Sequence, residues 1–321
     1  MIYLSNSITW LIENILHLQV SEGLGAMLHF FLYASIEILG LMSLIILGIG
    51  ILRSYIDPRK VKKLLSKTGT IPSHILSSIL GAITPFCSCS SVPVFIGFIE
   101  SGIPLGATFS FLITSPIVNE AAVALLWIAF GWKIAIAYTL TGLLIGIIGG
   151  LLIKKMNLEH LLEDYIQLRS TDIGSLEFTT FKDRFYFAYK ELKDVMSNVW
   201  KYVLLGLMVG AVIKGWTPDN ILMEYAGPNN PLAVIVGVIV GVPVYTSNVM
   251  MIPIIETLIG KGMGVGTALA FMMAASALSL PEMIMLRKVL KAKLVKIFVT
   301  ITSVGIISVG YLFNYLLTGL L

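Results

Sequence analysis

The chain has 321 residues, of which 57% are hydrophobic and only 12% are charged, with a formal net charge of +4. An average soluble domain carries about 25% charged residues, so the polar exterior that a soluble fold of this size requires is missing. The same numbers exclude a disordered chain, the two cysteines exclude a disulfide scaffold, and the small charge excess argues against nucleic-acid binding. The composition therefore predicts an integral membrane protein that crosses the bilayer several times.

Hydrophobic segments follow one another along the chain, and a membrane span needs about 20 mainly apolar residues. They cover 24–52, 74–99, 104–130, 132–153, 196–214, 231–259, 263–286 and 294–321. The residues before the first segment form an apolar helical face, which predicts an amphipathic helix at the membrane interface. The predicted regions are this interfacial helix (1–22), a first membrane repeat (23–153), a charged cytoplasmic linker (154–195) and a second membrane repeat (196–321).

Prolines reveal an internal repeat. Five prolines of the first half have a partner about 160 residues later, in the same order. The pairs are Pro58–Pro218, Pro72–Pro231, Pro85–Pro243, Pro93–Pro253 and Pro116–Pro281, the last of which requires a short insertion. Repeats of this size are common in secondary transporters. The sequence thus predicts an all-α polytopic membrane protein built from two repeats of about four hydrophobic segments each.

Basic residues predict the orientation of these repeats. They cluster in 53–67, 154–193 and 287–296. The positive-inside rule makes all three clusters cytoplasmic, whereas loop 214–231, the repeat partner of loop 53–73, carries a single basic residue. Equivalent loops then lie on opposite sides, so we predict inverted repeats, in which each half crosses the membrane an odd number of times. One segment per half must therefore be re-entrant, and the best candidates are 74–99 and 231–259, each broken by two prolines.

The first broken segment contains the run Thr-Pro-Phe-Cys-Ser-Cys-Ser-Ser-Val-Pro at 84–93, and the matching stretch 241–248 is again polar. Proline breaks a helix, and irregular chain is tolerated at membrane depth only against protein or a watery cavity. Two such stretches related by a pseudo-twofold axis meet near the midplane, where transporters of this kind bind substrate. The predicted substrate contacts here are Cys87, Ser88, Cys89, Ser90, Tyr245, Thr246, Ser247 and Asn248.

The third segment of each half also restarts inside the membrane. Ser115-Pro116 is typical of an N-cap followed by proline at the first helical position, which puts Asn119 in the first turn of a new half-helix. The stretch 279–282 is the predicted counterpart in the second half. Ser115 and Asn119 therefore join the predicted substrate contacts.

Three glutamates lie within hydrophobic segments: Glu37 in the first span, and Glu120 and Glu282 at the two restarts, where Glu282 takes the place of Glu120. An ionisable group in a membrane span costs roughly 2.5–3.5 kcal/mol on insertion scales, so such residues are functional candidates. We predict that these three glutamates carry protons coupled to transport. Helix capping or a hydrogen-bonded structural carboxyl is the alternative role for each of them.

Cys87 and Cys89 leave three interpretations open. Thiolates are soft ligands, and a Cys-x-Cys pair can supply two of the three sulfur ligands that a trivalent metalloid accepts. A redox disulfide between cysteines this close is strained, and free cysteines also pack as small buried residues. No third cysteine, histidine spacing, nucleotide-binding motif or hydrolase motif accompanies the pair. The sequence therefore assigns no metal site, no cofactor and no catalytic residue.

The run at 84–93, followed by Gly-Ile-Pro-Leu-Gly-Ala at 102–107 and by Ser115-Pro116-x-x-Asn119-Glu120, resembles the ArsP-like family of predicted permeases. The resemblance extends from about residue 25 to the end of the chain. It implies an integral membrane permease of about eight hydrophobic segments, and the best-known members of the family are efflux permeases for trivalent organoarsenicals. Carried onto this chain, the resemblance makes Cys87 and Cys89 the candidate contacts for a soft metalloid.

These patterns predict a secondary permease in the cytoplasmic membrane of the cell, not an enzyme, that moves a small substrate through a midplane site with coupling to protons. One alternative is a passive channel through the same broken segments, and the other is a membrane thiol oxidoreductase that uses Cys87 and Cys89. The expected partners are a small-molecule or ion substrate and the lipid bilayer, without nucleic acid. A homo-oligomer is compatible with the sequence.

Overall fold

The computed structural model describes residues 69–84, 88–100, 102–162, 181–216, 230, 232–242, 248–260, 262–287 and 289–317, with single positions between 9 and 51. The predicted interfacial helix 1–22 and the first hydrophobic segment therefore lie largely outside the described residues. Within the described ranges the chain is helical, and its only β contact is an isolated antiparallel bridge between Leu162 and Leu290. The predicted all-α fold class is confirmed.

Eleven α-helices can be given bounds in the described part of the chain. They are α1 (Thr70–Ile83), α2 (Ser88–Glu100), α3 (Leu105–Ile117), α4 (Glu120–Phe130), α5 (Trp132–Lys155), α6 (Phe181–Trp216), α7 (Ala233–Gly241), α8 (Asn248–Gly260), α9 (Val265–Ala277), α10 (Leu280–Arg287) and α11 (Ala292–Leu317). A short 3₁₀ helix, Leu158–Leu161, follows α5. Helix α6 begins well before the seventh decade of the second half that hydropathy alone selects, because its first turns are charged and lie within the predicted linker 154–195.

Two of these helices, α5 and α11, are long and apolar enough to cross a membrane, and α3 with α4 forms a third candidate span bent by 43°. Along α5, exposed apolar side chains recur every fourth residue. They are Ile136, Leu140, Leu144, Ile148 and Leu152. A continuous apolar stripe on the outside of a 24-residue helix is what a lipid-facing span presents, since its length of about 36 Å exceeds the hydrocarbon thickness.

The order of helices repeats with a spacing of 160 residues. Helices α2 to α5 begin at 88, 105, 120 and 132, and helices α8 to α11 begin at 248, 265, 280 and 292. The turns before α3 and α9 also correspond, because Gly102 and Gly262 both adopt positive φ and both donate a backbone hydrogen bond three residues back. This spacing needs no insertion at the third segment, so the pairing of Pro116 with Pro281 is wrong.

Close backbone contact joins the third and fifth helices of the first repeat. Gly142, Gly146 and Gly150 lie at intervals of four on α5, and α3 packs against this small-residue face. A Cβ on Gly106 would lie 2.7 Å from the carbonyl oxygen of Gly150, and a Cβ on Gly146 would meet Thr114. Small residues at such intervals let membrane helices approach closely, and here the register is antiparallel.

The equivalent helices α5 and α11 cross each other in the antiparallel sense. A Cβ on Gly305 would lie 3.0 Å from Ile145 Cγ2, and a Cβ on Gly149 would lie 3.4 Å from Ile301 Cγ2. Residue numbers therefore fall along one helix as they rise along the other. The crossing point lies near the middle of both helices.

The ends of these helices agree with that direction. The bridge between Leu162 and Leu290, together with the 2.9 Å hydrogen bond from Lys291 N–H to the Leu161 carbonyl, joins the end of α5 to the start of α11. Helix α1 also starts at this face, because Lys154 Nζ donates to Thr70 Oγ1 at 2.8 Å. The start of α7 lies at the other face, where a Cβ on Gly310 would come within 2.6 Å of Val234 Cγ1.

Candidate functional site

Both third segments break at mid-depth of a long helix. A Cβ on Gly142 would meet Val118, so the interruption between α3 and α4 lies beside the middle of α5, about 15 Å from its first residue. Helices α9 and α11 keep the same register, since a Cβ on Gly310 would lie 2.8 Å from Ala270 Cβ. The interruption between α9 and α10 therefore lies at the corresponding depth.

The first segment of each repeat ends at the same level. A Cβ on Gly81 would lie 2.9 Å from the carbonyl oxygen of Phe111, and one on Gly241 would lie 2.8 Å from that of Phe271. Helix α1 then ends at Ile83, where Thr84 Oγ1 donates to the Leu80 carbonyl at 2.8 Å. The run that contains the cysteines begins here.

The predicted substrate contacts of the first and second broken stretches are only partly within the described residues. Cys87, Tyr245, Thr246 and Ser247 lie outside them. The backbone of Ser88, Cys89 and Ser90 forms the first turn of α2, and Asn248 is the first residue of α8. Both stretches thus lead directly into a half-helix that restarts from mid-depth.

Asn119, rather than Ser115, caps the half-helix α4. Its side-chain oxygen accepts a 2.7 Å hydrogen bond from Ala122 N–H, and Glu120 is the first helical residue. Ser115 and Pro116 belong to the last turn of α3, so the predicted N-cap at Ser115 is wrong. Ser115 is nevertheless fully buried beside the break, and its hydroxyl has no hydrogen-bond partner among the described residues.

The two glutamates at the restarts occupy different environments. Glu120 is exposed, whereas Glu282 is 0% exposed and is the only acidic side chain in the buried set of the described residues. The helix starts place Glu282 opposite Ala122, which is also buried, and place Glu120 opposite Leu280. The expected equivalence of the two acids is therefore wrong by two positions. Glu37 lies outside the described residues.

Contacts between the repeats are reciprocal. Helix α2 packs against α10, and its equivalent α8 packs against α4, while α3 packs against α9. Such an exchange of equivalent contacts is the pattern of a twofold relation. It brings the four half-helices that restart at mid-depth around one interface between the repeats.

Sequence reasoning missed a polar cluster at the start of α1. His74 is buried, and its Nδ1 lies 2.8 Å from Ser110 Oγ, in a slot lined by Gly106 and Gly150. In the second repeat the corresponding slot holds Val234. A histidine inside an apolar segment was the available signal, but its partner is 36 residues away along the chain.

Metal-ligating side chains do not gather in the described residues, in which no group of three or more His, Cys, Asp and Glu lies together. Cys87 is not among these residues, so this finding does not bear on it. The oxygen-bearing groups at the breaks, rather than nitrogen or sulfur ligands, are what the described part of the site offers.

Long apolar helices with a lipid-facing stripe and paired mid-depth breaks define an integral membrane protein. A family model described as a predicted permease, ArsP_1, matches residues 23–315. Since this match covers most of the chain, the protein belongs to the ArsP_1 family of predicted permeases, and the family resemblance is confirmed.

Known relatives are distant but span most of the chain. The UPF0718 protein MJ0584 of Methanocaldococcus jannaschii is 22% identical over 286 residues, covering 72% of this chain and 78% of the relative. The UPF0718 protein YraQ of Escherichia coli is 24% identical over 285 residues, covering 87% and 79%. A Streptococcus mutans protein, provisionally named as a two-component membrane permease complex subunit, is 24% identical over 260 residues, covering 80% and 85%. No solved structure matches the chain.

Proposed function

We propose that this protein is a secondary permease of the cytoplasmic membrane, with two inverted repeats and a substrate site between their broken helices. The observation that carries this proposal is the pair of mid-depth breaks beside Gly142 and its counterpart, next to the antiparallel crossing of α5 and α11. Broken helices at the interface of inverted repeats form the midplane sites of many secondary transporters.

The inverted arrangement follows from the direction of equivalent helices. Helices α5 and α11 are repeat equivalents that cross antiparallel, so one of them runs inward through the membrane when the other runs outward. The face that joins the end of α5 to the start of α11 also carries most of the nearby basic residues. These are Lys154, Lys155, Arg287, Lys291 and Lys293. By the positive-inside rule this face is cytoplasmic.

Coupling to protons is assigned to Glu282 rather than to Glu120. A buried carboxyl at mid-depth must exchange its proton or find a counter-charge, whereas an exposed one at a helix start is accounted for by the helix dipole. Cys87 and Cys89, next to the start of α2, offer soft contacts that suit a trivalent organoarsenical. Ser115 and Asn119 contribute polar groups at the neighbouring break.

Topology is the first test. We would place one new cysteine in each of two equivalent loops, Ser66→Cys and Asn220→Cys, in a background without the native thiols (Cys87→Ser, Cys89→Ser). A membrane-impermeant maleimide should label Asn220→Cys in intact cells and Ser66→Cys only after permeabilisation. Labelling of both variants from the same side would refute the inverted repeat.

Transport is the second test. Proteoliposomes loaded with a pH-sensitive dye would receive methylarsenite, a trivalent organoarsenical, as the probe. We expect a proton flux that depends on the probe in the wild type and in Glu120→Gln, and its loss in Glu282→Gln. Unchanged flux in Glu282→Gln would overturn the coupling role, and absence of probe transport in the wild type would overturn the arsenical assignment.

A further inference from the structure

Three buried side chains that carry oxygen atoms belong to the break in the second repeat. Ser279 precedes α10 and is 1% exposed, Glu282 lies in the first turn of α10, and Thr302 lies on α11. Glu282 and Thr302 are fully buried. Ser279 and Glu282 share one end of α10, which also packs against α11.

The register of the repeats places Thr302 beside this break. In the first repeat the residue at the break, Val118, meets Gly142 of α5. Thr302 is the residue 160 positions after Gly142, and α9 and α11 pack in the same register as α3 and α5. The three oxygen-bearing side chains therefore converge at the end of α9, one helical turn from the crossing point at Gly305.

The first repeat has no such group of side chains. The residues at the equivalent positions are Asn119, Ala122 and Gly142, and the Asn119 side chain is already bonded to Ala122 N–H. The set of one carboxyl and two hydroxyls is thus specific to the second repeat. It is not something that the twofold packing of the helices requires.

The chemistry of this group suits a small cation. The hydroxyls of Ser279 and Thr302 have no hydrogen-bond partner among the described residues. The last carbonyl groups of a helix lack intrahelical partners and form the negative end of its dipole, and α9 ends here. Hard cations take oxygen ligands of these kinds, and transporters bind Na⁺ at interrupted helices in this way.

The single carboxyl decides the charge of the ion. One carboxylate neutralises a monovalent cation, whereas a divalent ion would leave a net positive charge at the membrane centre, which is costly. An anion would be repelled by the carboxylate. Of the helices that pack against α10, α2 carries its only acidic or basic residue at Glu100 and α11 carries its two at Lys293 and Lys296, close to the helix ends. Those of α6 lie between Lys182 and Lys214.

We propose that Ser279, Glu282 and Thr302, with the backbone carbonyls at the end of α9, form a Na⁺ site in the second repeat. The inference rests on the proposed permease function and names a second coupling ion at the same carboxyl. Glu282 holds either a proton or Na⁺: when Na⁺ binds, the carboxyl gives up its proton to the solvent, and when Na⁺ leaves, the carboxylate takes a proton back.

The test measures ion binding by the purified full-length chain in detergent, without substrate. Thermal stability would be followed as NaCl is titrated against KCl and choline chloride at constant ionic strength. A ligand that binds only the folded state raises the melting temperature in a saturable way. We expect this rise with Na⁺ alone, its loss in Glu282→Gln, and half-saturation at about tenfold higher Na⁺ in Ser279→Ala and Thr302→Val.

Exposed hydroxyls on the same helix provide matched controls. Thr300→Val and Ser308→Ala each remove a hydroxyl that bonds only to its own helix, and both should keep the Na⁺ response of the wild type. Equal effects of the three salts on the wild type, or an unchanged Na⁺ response in both Ser279→Ala and Thr302→Val, would overturn the site. If Glu282→Gln does not fold, these two variants still decide the question.

Failure of this inference can be told apart from failure of the permease proposal. Na⁺ binding is measured here without any transport. A protein that shows no Na⁺ response but loses proton flux in Glu282→Gln remains a proton-coupled permease with no sodium site. A protein that binds Na⁺ but fails the labelling test keeps the site and loses the inverted repeat.

Discussion

Replacing Gly106 by alanine tests the closest helix contact of the first repeat. The new Cβ would lie 2.6 Å from Lys154 Cβ, 2.7 Å from the Gly150 carbonyl oxygen and 2.8 Å from His74 Cε1. Carbon atoms in ordinary contact are about 3.5–4.0 Å apart, so α3 must move by nearly 1 Å away from two helices at once. Such overpacking costs about 1–3 kcal/mol, and the better helix propensity of alanine returns at most about 1 kcal/mol.

We therefore expect Gly106→Ala to lower the free energy of unfolding by about 1–2 kcal/mol, read as a lower melting temperature of the purified protein in detergent. Gly260→Ala is the matched control, because a Cβ at the end of α8 would meet nothing within 4 Å. Its melting temperature should equal or exceed that of the wild type. If the two variants melt together, the close packing of α3 on α5 is not what stabilises this repeat.

Two further substitutions test local contacts by the same thermal measurement. Asn119→Ala removes the cap that accepts from Ala122 N–H and should cost about 1 kcal/mol, whereas Asn119→Asp keeps an acceptor; equal melting of the alanine variant and the wild type would contradict the cap. His74→Val installs the residue that fills the equivalent slot of the second repeat, so only the 2.8 Å hydrogen bond to Ser110 is lost. We expect a cost of about 1 kcal/mol, and a loss of folding would show that valine does not fit this slot.

Hydrophobicity and prolines predict the breaks but not their sequence limits. A proline ends a helix by clashing with the preceding turn, and the sequence alone does not say on which side of Pro116 the interruption falls. The hydrogen bond from Ala122 N–H to Asn119 fixes it after the proline. The same uncertainty misaligned the acids, since pairing Pro116 with Pro281 shifted Glu282 onto Glu120. Helix starts correct the shift because they depend on packing as well as on single residues.

Contacts between distant parts of the chain were beyond sequence reasoning. His74 meets Ser110, and Lys154 meets Thr70 across 84 residues, although neither spacing forms a recognisable motif. Charge distribution, in contrast, predicted a shared face for two basic clusters, and the bridge between Leu162 and Leu290 joins those two regions. Long-range charge patterns survive in the sequence because the membrane acts on whole loops, whereas a single buried hydrogen bond leaves no periodic trace.

The two repeats agree where backbones touch and differ where polar groups are buried. Glycine is kept at each pair of positions where a Cβ would collide with a neighbouring helix. These pairs are Gly81–Gly241, Gly106–Gly266 and Gly150–Gly310. Ala122 and Gly142 of the first repeat are replaced by Glu282 and Thr302 in the second. The paired glycines maintain a twofold scaffold, and a scaffold of that kind treats both directions of transport alike. A single buried carboxyl in one repeat breaks this equivalence, so an ion bound there is counted once per transport cycle. The asymmetric positions are therefore the ones at which coupling should be tested, and the symmetric glycines are the ones at which stability should be tested.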